Sequence, residues 1–400
     1  MPARRDKRDV GETIRLQLDG FAHGGEAIGR LDGKVVFVVG GIPGEEVTAR
    51  VFQRKPDYLH ARLLEVHQPS PDRVAPPCPY FGDCGGCQFQ HVEYARQLAL
   101  KEGVVREQLR RLGGFAAAPV RAPLGMAEPW HYRNHARFSA LRDGRLGLTR
   151  HASRMLVPVE RCQLMAPAIN DTLALLQGRC RGFFNVSIRY GTKTGQLLVS
   201  PRLPAAAEVL PTGQPFFEEE LLGHRFRISP ASFFQVNTLQ AEVMARVVSE
   251  GLALSGSEVV VDAYCGVGTF GALLADKAAR VVGIEESAAA LEDAKRNLAG
   301  LDNVELVRGA TETVLPSLEG PVDGVVIDPP RAGCRPEVLA SLAQLRPRRL
   351  AYVSCDAATL ARDLRVLVGA GFALLSVQPI DLFPQTYHIE NVAVLAWERD

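Results

Sequence analysis

Between residues 11 and 66 apolar and polar positions alternate in short runs, 14–18, 35–39, 46–52 and 61–66, separated by glycine turns. A period of two puts every second side chain on one face of a strand, and strands this closely spaced predict a small antiparallel barrel. The rhythm changes between residues 93 and 112. There an apolar stripe at helical spacing faces a basic set, Arg96, Lys101, Arg106, Arg110 and Arg111, and predicts an amphipathic helix. Alternation and β-branched residues return over 130–200 and predict a β-rich central region. Beyond a helix predicted near 239–254, strand patterns at 259–261, 279–284, 304–307, 324–328, 350–354, 373–380 and 391–397 interleave with helical ones at 288–298, 337–342 and 358–368. That interleaving predicts a doubly wound sheet with its sites at the carboxyl ends of the strands.

The pivot of the last region is Glu258-Val-Val-Val-Asp-Ala-Tyr-Cys-Gly-Val-Gly-Thr-Phe-Gly-Ala-Leu-Leu. Three β-branched residues end on Asp262, and Gly266 and Gly268 then permit a tight turn into an Ala/Leu-rich helix. Gly266, Gly268 and Gly271 have the spacing of a dinucleotide fingerprint, with Glu285 at the next strand end placed to accept from ribose hydroxyls. The glycines do not name the ligand. A carboxylate at the strand tip, Asp262, repels a pyrophosphate but suits the cationic groups of S-adenosylmethionine, so a methyl donor is expected rather than NAD.

With 400 residues and 46% hydrophobic content the chain can bury more than one core. The first ten residues carry charge without an apolar run, and no later run approaches membrane-spanning length, so a cytoplasmic protein without a membrane partner is expected, acting as a monomer. The net charge of +1 hides an asymmetry. Residues 121–207 hold 13 Lys and Arg against 4 Asp and Glu, a balance of +9, while residues 208–400 balance to −10. An arginine-rich solvated face would account for the first number; a groove for a polyanion accounts for it more specifically.

Eight cysteines in a chain of this length, with no signal segment, point to metal binding or catalysis rather than disulfides. A proline-rich linker over 69–79 delivers Cys78, Cys84 and Cys87 in Cys-Pro-Tyr-Phe-Gly-Asp-Cys-Gly-Gly-Cys, where the glycines let backbone wrap a centre. A fourth thiolate is needed. Cys162, after a strand and before a helix-like segment, is the best candidate and Cys180 the alternative; four thiolates would serve zinc as well as an iron-sulfur cluster. In the carboxyl-terminal region two more strands end on reactive groups, Asp328-Pro-Pro-Arg and Ser354-Cys355-Asp356. The first is similar to the loop of enzymes that methylate exocyclic amines, but Arg331 stands where an aromatic would stack on the base. Cys355 lies between a strand and a helix start, where unpaired backbone amides favour the thiolate.

Two resemblances follow from these motifs. Val-Phe-Val-Val-Gly-Gly-Ile-Pro-Gly-Glu-Glu-Val, residues 36–47, resembles the TRAM domain, an OB-like module of RNA-modifying enzymes. The ordered set Phe-Phe-Gln-Val-Asn, Asp-Ala-Tyr-Cys-Gly-Val-Gly-Thr-Phe, Gly-Ile-Glu, Asp-Pro-Pro-Arg, Val-Ser-Cys-Asp and His-Ile-Glu-Asn resembles the RNA 5-methyluridine methyltransferase family, in its TRAM-containing, iron-sulfur, ribosomal RNA type. The resemblance implies a TRAM-like barrel over 1–68, a central RNA-binding domain with the cysteines over 69–230, and an S-adenosylmethionine-dependent methyltransferase domain over 231–400. It further implies that Gln235, Tyr264, Glu285 and Asp328 contact S-adenosylmethionine, that Cys355 is the nucleophile and Glu390 the base, and that Cys78, Cys84, Cys87 and Cys162 hold a [4Fe-4S] cluster. Thr269 departs from the Asn that some relatives carry beside the donor.

Uracil chemistry needs these residue types. C5 is too weak a nucleophile to attack a methyl group until a thiolate adds to C6, and the methylated adduct collapses only after a base removes the C5 proton. A target base must also be splayed out of its stack, so single-stranded loops are expected substrates, in large-subunit ribosomal RNA or alternatively transfer RNA. A cytosine-C5 RNA methyltransferase would share the thiolate step but show a Pro-Cys loop absent here, and a non-catalytic iron-sulfur RNA-binding protein would not need Cys355 or Glu390.

Overall fold

The computed structural model describes residues 11–397, and the charged first ten residues lie outside them. Strands β1 (Thr13–Phe21), β2 (Ala27–Leu31), β3 (Lys34–Val39), β4 (Glu46–Arg54) and β5 (Tyr58–Gln68) close into a barrel in the order β1-β2-β3-β5-β4. Alternation predicts its core: Ile14, Leu16 and Leu18 point inward from β1 against Val36, Val38, Val47 and Leu59. The barrel is not wholly antiparallel, because β3 and β5 are separated by one strand, run the same way and close it as a parallel pair. Glu45, fully buried, ties the barrel to the linker by accepting from Arg73 Nε at 2.5 Å and from the Ser70 amide at 3.2 Å.

After the cysteine loop comes helix α1 (Tyr94–Arg111), capped by the Glu93 carboxylate on the Arg96 amide. The central region is an antiparallel sheet, β10-β9-β6-β7-β8, built from β6 (His135–Ala140), β7 (Leu146–Thr149), β8 (Leu156–Pro158), β9 (Asn185–Tyr190) and β10 (Leu197–Ser200). Helix α2 (Pro167–Leu176) covers it through Ile169, Leu173 and Leu176, which pack with Phe138, Leu146 and Ile188.

The third layer system is a seven-stranded sheet. It is made of β13 (Val259–Ala263), β14 (Arg280–Glu285), β15 (Val304–Arg308), β16 (Gly324–Ile327), β17 (Arg349–Ser354), β18 (Phe372–Ile380) and β19 (Glu390–Trp397), in the order β15-β14-β13-β16-β17-β19-β18. Five strands are parallel, and β19 is antiparallel to both its neighbours, because the connection over 381–389 is too short for a crossover. Helices α3 (Thr238–Leu252), α4 (Thr269–Ala275), α5 (Ala288–Asn297), α6 (Thr311–Val314), α7 (Pro336–Leu345) and α8 (Ala357–Gly369) cover both faces.

Two pieces expected in the central domain pack here instead. Val105 and Leu109 of α1 join the core of this sheet, and the hairpin of β11 (Phe217–Leu221) and β12 (His224–Ile228) packs on α3 and α4 through Phe217, Phe226 and Ile228. Packing therefore does not change near residue 230. No helix among the described residues is long and apolar enough to cross a membrane.

The connection over 381–389 is where the parts meet. Asp381 is fully buried and accepts from Lys101 Nζ of α1 at 2.7 Å and from the Tyr94 hydroxyl at 3.0 Å; Lys101 itself is 1% exposed. Gln97 and Gln385 exchange two hydrogen bonds, the amides of Gln88 and Phe89 donate to the Gln385 carbonyl, and Tyr132 and Asn237 donate to the carbonyls of Pro384 and Leu382. Burial pulls the Lys101 pKa down and Asp381 opposes it, so removing one partner leaves the other charge uncompensated. Lys101→Met should lower stability in urea unfolding by about 3–5 kcal/mol, and Asp381→Leu added to it should restore a large part of the loss.

Candidate active site

Strand β13 delivers the glycine loop. Gly268, at φ 84°, starts α4, and a Cβ there would come within 2.8 Å of Leu298 Cδ1, so the loop can lie this close to α5 only with glycine. Tyr264 sits at φ 66°, a left-handed conformation that a bulky residue keeps only where the surroundings dictate it. Between this loop and the start of α3 is a cavity of about 60 Å³ bordered by Phe233, Gln235, Tyr264, Gly266, Thr269 and Asp328. Three of the four residues expected to contact the donor therefore share one cavity. The fourth, Glu285, stands beside it and accepts from the Gly266 amide at 2.9 Å and the Ser287 amide at 2.6 Å.

Asp262 is placed differently from the charge argument. It lies fully buried beneath the loop, its Oδ2 accepting from the Gly271 amide at 2.9 Å and its Oδ1 without a partner, and burial pushes its carboxyl up to about 7. The carboxylate that borders the cavity is Asp328, half-buried at the tip of β16 and likewise pushed up to about 7 by burial.

Strand β17 ends at Ser354, and its antiparallel register with β19 pairs Ser354 with Asn391. Cys355 and Glu390 are the next residues outward from that pair, and the Glu390 charge reaches the Cys355 thiol. The antiparallel strand thus brings its amino end to the edge where the parallel strands present their carboxyl ends. Glu390 is buried, and desolvation first and Asp328 second push its carboxyl up to about 8. Cys355 is half-buried and its thiol is pushed up to about 11, by burial and then by Glu390 and Asp328, with Arg331 pulling the other way. The expectation that free helix amides favour the thiolate is not met. Asp356 caps α8, its Oδ1 accepting from the Ala358 and Thr359 amides at 3.0 Å each, so those amides are satisfied before Cys355 can use them.

The other oxygen of Asp356 reaches across the whole chain. His23 Nε2, in the turn between β1 and β2 of the barrel, donates to Asp356 Oδ2 at 3.2 Å, and Arg331 Nε donates to the same oxygen at 3.5 Å. The His23 hydrogen bond is the largest cause holding the Asp356 carboxyl well below the usual range. Two residues on, Gly25 is at φ 85°, and a Cβ there would stand 2.8 Å from the Tyr387 Cβ. Motif reading singled out Asp356 but not His23 or Tyr387, and the contact between His23 and Asp356 left no local pattern because the two are 333 positions apart.

Cys78, Cys84, Cys87 and Cys162 line a single cavity of about 210 Å³, together with Arg133 and Arg137. Cys180 is elsewhere, buried in the central core with its thiol on the Leu176 carbonyl. None of the four is in a disulfide, and among the described residues no three His, Cys, Asp or Glu side chains converge as ligands of a metal ion. The Gly86 amide donates to Cys84 Sγ at 3.4 Å, and burial pushes the Cys87 thiol up to about 12, with its neighbouring cysteines adding to the effect. Arg133 is half-buried against this cavity rather than on the surface, whereas Arg137 and Arg145 are exposed.

A parallel sheet with a glycine loop, an acid at the tip of the fourth strand and an antiparallel last pair is the frame of an S-adenosylmethionine-dependent methyltransferase, here carrying a cysteine and a carboxyl group on adjacent strand ends. Residues 222–398 match the tRNA (uracil-5-)-methyltransferase family and residues 7–64 the TRAM domain. An uncharacterized RNA methyltransferase of Gloeobacter violaceus is 38% identical, covering 96% of each chain, and one of Halalkalibacterium halodurans is 34% identical, covering 98% of this chain and 97% of the relative. The crystal structure of a Pyrococcus abyssi tRNA (uracil-54, C5)-methyltransferase with S-adenosyl-L-homocysteine superposes with a TM-score of 0.77 at 26% identity, over 96% of this chain and 100% of that one. The chain belongs to the tRNA (uracil-5-)-methyltransferase family and is an S-adenosylmethionine-dependent RNA methyltransferase of the uracil-C5 class.

The charges around Cys355 predict its reactivity. At pH 9, alkylation of Cys355 by iodoacetamide, followed by mass spectrometry of its peptide, should be faster in Glu390→Gln, which removes a neighbouring anion. It should be slower in Arg331→Met, which removes the opposing cation.

Proposed function

We propose that the protein methylates C5 of a specific uridine in large-subunit ribosomal RNA through a covalent adduct, with Cys355 as nucleophile and Glu390 as base. The observation that supports this reading is that Cys355, one residue past β17, and Glu390, the first residue of β19, are the immediate neighbours of the paired residues Ser354 and Asn391, and that Asp328 acts on both electrostatically. Bound S-adenosylmethionine supplies an electrophilic methyl group; Gln235, Tyr264, Glu285 and Asp328 would hold it. The Cys355 thiolate would give an electron pair to uracil C6, and the C5–C6 π electrons at C5 would form the new bond to the methyl carbon as that carbon's bond to the donor sulfur breaks and S-adenosyl-L-homocysteine leaves. Glu390 then takes the proton left on C5, those electrons re-form the C5–C6 double bond, and the C6–sulfur bond breaks to return Cys355 as thiolate. Cys355, Glu390 and Asp328 all ionise more readily once a cation lies beside Asp328, which couples donor binding to activation of the nucleophile.

For the choice of RNA, the barrel and the basic central region offer more grip than a compact stem-loop requires, and long ribosomal RNA could span both. Transfer RNA is the second reading, favoured by the family description and by the Pyrococcus abyssi enzyme, whose match extends over the barrel as well. Transcripts of both kinds carrying 5-fluorouridine distinguish them, because fluorine cannot leave as a cation when the base acts and the adduct is trapped. The large-subunit transcript should give a denaturation-resistant complex with the wild type and none with Cys355→Ala, and Glu390→Gln should accumulate adduct on ordinary RNA. Trapping on transfer RNA alone would move the substrate, and turnover by Cys355→Ala would end the covalent scheme.

Cys78, Cys84, Cys87 and Cys162 are proposed to hold a [4Fe-4S] cluster. Four unpaired thiols around one cavity, an N–H aimed at a sulfur, and two arginines to offset an anionic centre support it, and sulfurs that ring a space fit a cluster better than a single zinc ion. Protein purified without oxygen should be brown and contain iron and sulfide, and replacing Cys78, Cys84 or Cys87 should lose the colour and soluble yield. Colourless protein with stoichiometric zinc would overturn the assignment.

A further inference from the structure

Arg189 on β9 is a buried cation with no carboxylate paired to it; its guanidinium carbon lies 5.9 Å from the centre of the Phe217 ring. It is 7% exposed, its Nε and Nη1 have no hydrogen-bond acceptor, and Nη2 reaches only the Pro230 carbonyl at 3.5 Å. The acid within electrostatic reach, Asp293, already accepts from the Ser229 amide at 2.8 Å and the Ser232 hydroxyl at 2.6 Å. A guanidinium withdrawn from water and left unpaired is costly, so its retention calls for an anion that arrives from outside.

The space beside it fits that anion. Arg189 lines a groove of about 520 Å³ between the central sheet and the turn at Pro230, with Arg137, His135, Asn185, Ser187 and Ser200 around it. His135 contacts the Ser187 hydroxyl at 2.9 Å, and its pKa is pushed down to about 3, by burial first and then by Arg189, Arg133 and Arg137. The groove is therefore strongly positive without needing a protonated histidine. Among the described residues no carboxylate lines it. Its far wall is Phe233, whose side chain is 68% exposed and which also borders the donor cavity. An exposed aromatic ring between a cationic groove and a reaction cavity is the arrangement that tracks a nucleic-acid backbone while a base stacks.

We propose that this groove seats a backbone phosphate of the RNA next to the target nucleotide, with Arg189 as the buried cation that pairs with it. The proposal rests on the reading of RNA as substrate and adds a specific phosphate site to it. A planar guanidinium presents two parallel donors to phosphate oxygens, and the half-buried serine and asparagine side chains supply neutral donors around it.

The test uses synthetic RNA hairpins with the target uridine in the loop, each carrying one neutral methylphosphonate linkage, with binding to the full-length protein measured by fluorescence anisotropy. One linkage beside the target should weaken wild-type binding about tenfold or more. Arg189→Met should weaken binding of unmodified RNA by a similar factor, reduce the salt slope by about one unit or less, and bind the hairpin modified at that linkage no worse than the unmodified one. Arg189→Lys should recover part of the affinity and of the linkage sensitivity. Binding of S-adenosyl-L-homocysteine by calorimetry should be unchanged in both variants, which separates loss of the contact from loss of the fold. If no single linkage matters, or if Arg189→Met keeps the wild-type sensitivity to it, the groove is not a phosphate site. A wild type that shows the coupling but methylates no uridine would end the uridine reading and leave the groove assignment standing.

Discussion

The buried ion pair between Lys101 and Asp381 is the constraint on which the site depends. The pair is permitted in a core because the tyrosine hydroxyl of Tyr94 and the Phe383 carbonyl take up the remaining hydrogen-bonding capacity. Its position matters more than its strength. It anchors the first residue of the connection that ends at Glu390, and the Gln97–Gln385 exchange anchors the middle, so a carboxyl group at the start of a strand is held by a helix nearly three hundred residues earlier in the chain. The antiparallel ladder of β17 and β19 then sets how far that carboxyl lies from Cys355.

Around this frame the electrostatics keep the site at rest. Three acids crowd one edge of the sheet, two of them carboxyl groups with raised pKa values, and the thiol shares their neighbourhood with one opposing cation, Arg331. A permanently activated thiolate would be exposed to oxidation and alkylation between turnovers. Here burial and the neighbouring acids hold the thiol above its ordinary range, and Asp356, which could have left its helix amides to the sulfur, occupies them instead.

Much of this was legible before any coordinates. Period-two alternation marked the barrel, the glycine loop with its flanking strand and helix marked a strand-tip loop that borders a cavity, and close spacing marked Cys78, Cys84 and Cys87 as neighbours, because each of these signals is local. What alternation cannot carry is direction and distance. It did not reveal the parallel closure of β3 on β5 or the reversal of β19, although the short connection before Glu390 contained the reason. Burial was equally hidden: Asp262 looks like a cavity wall in the sequence and lies beneath the loop in the fold, and Arg189 reads as one of many basic residues until its partners are counted. His23 carried no signal at all, since its meaning comes from Asp356.

The contact between His23 and Asp356 has a consequence for how the molecule is made. The barrel is synthesised before the strand that leads to Cys355, so segments 333 positions apart must find one another before this edge of the sheet is complete. Loop closure over that length is slow to form but adds little to the equilibrium cost, because the entropy of closure grows only with the logarithm of length. Trimming from either end therefore has the same effect on the edge that holds Cys355: loss of the barrel removes the hydrogen bond to Asp356, and loss of the last strand removes Glu390.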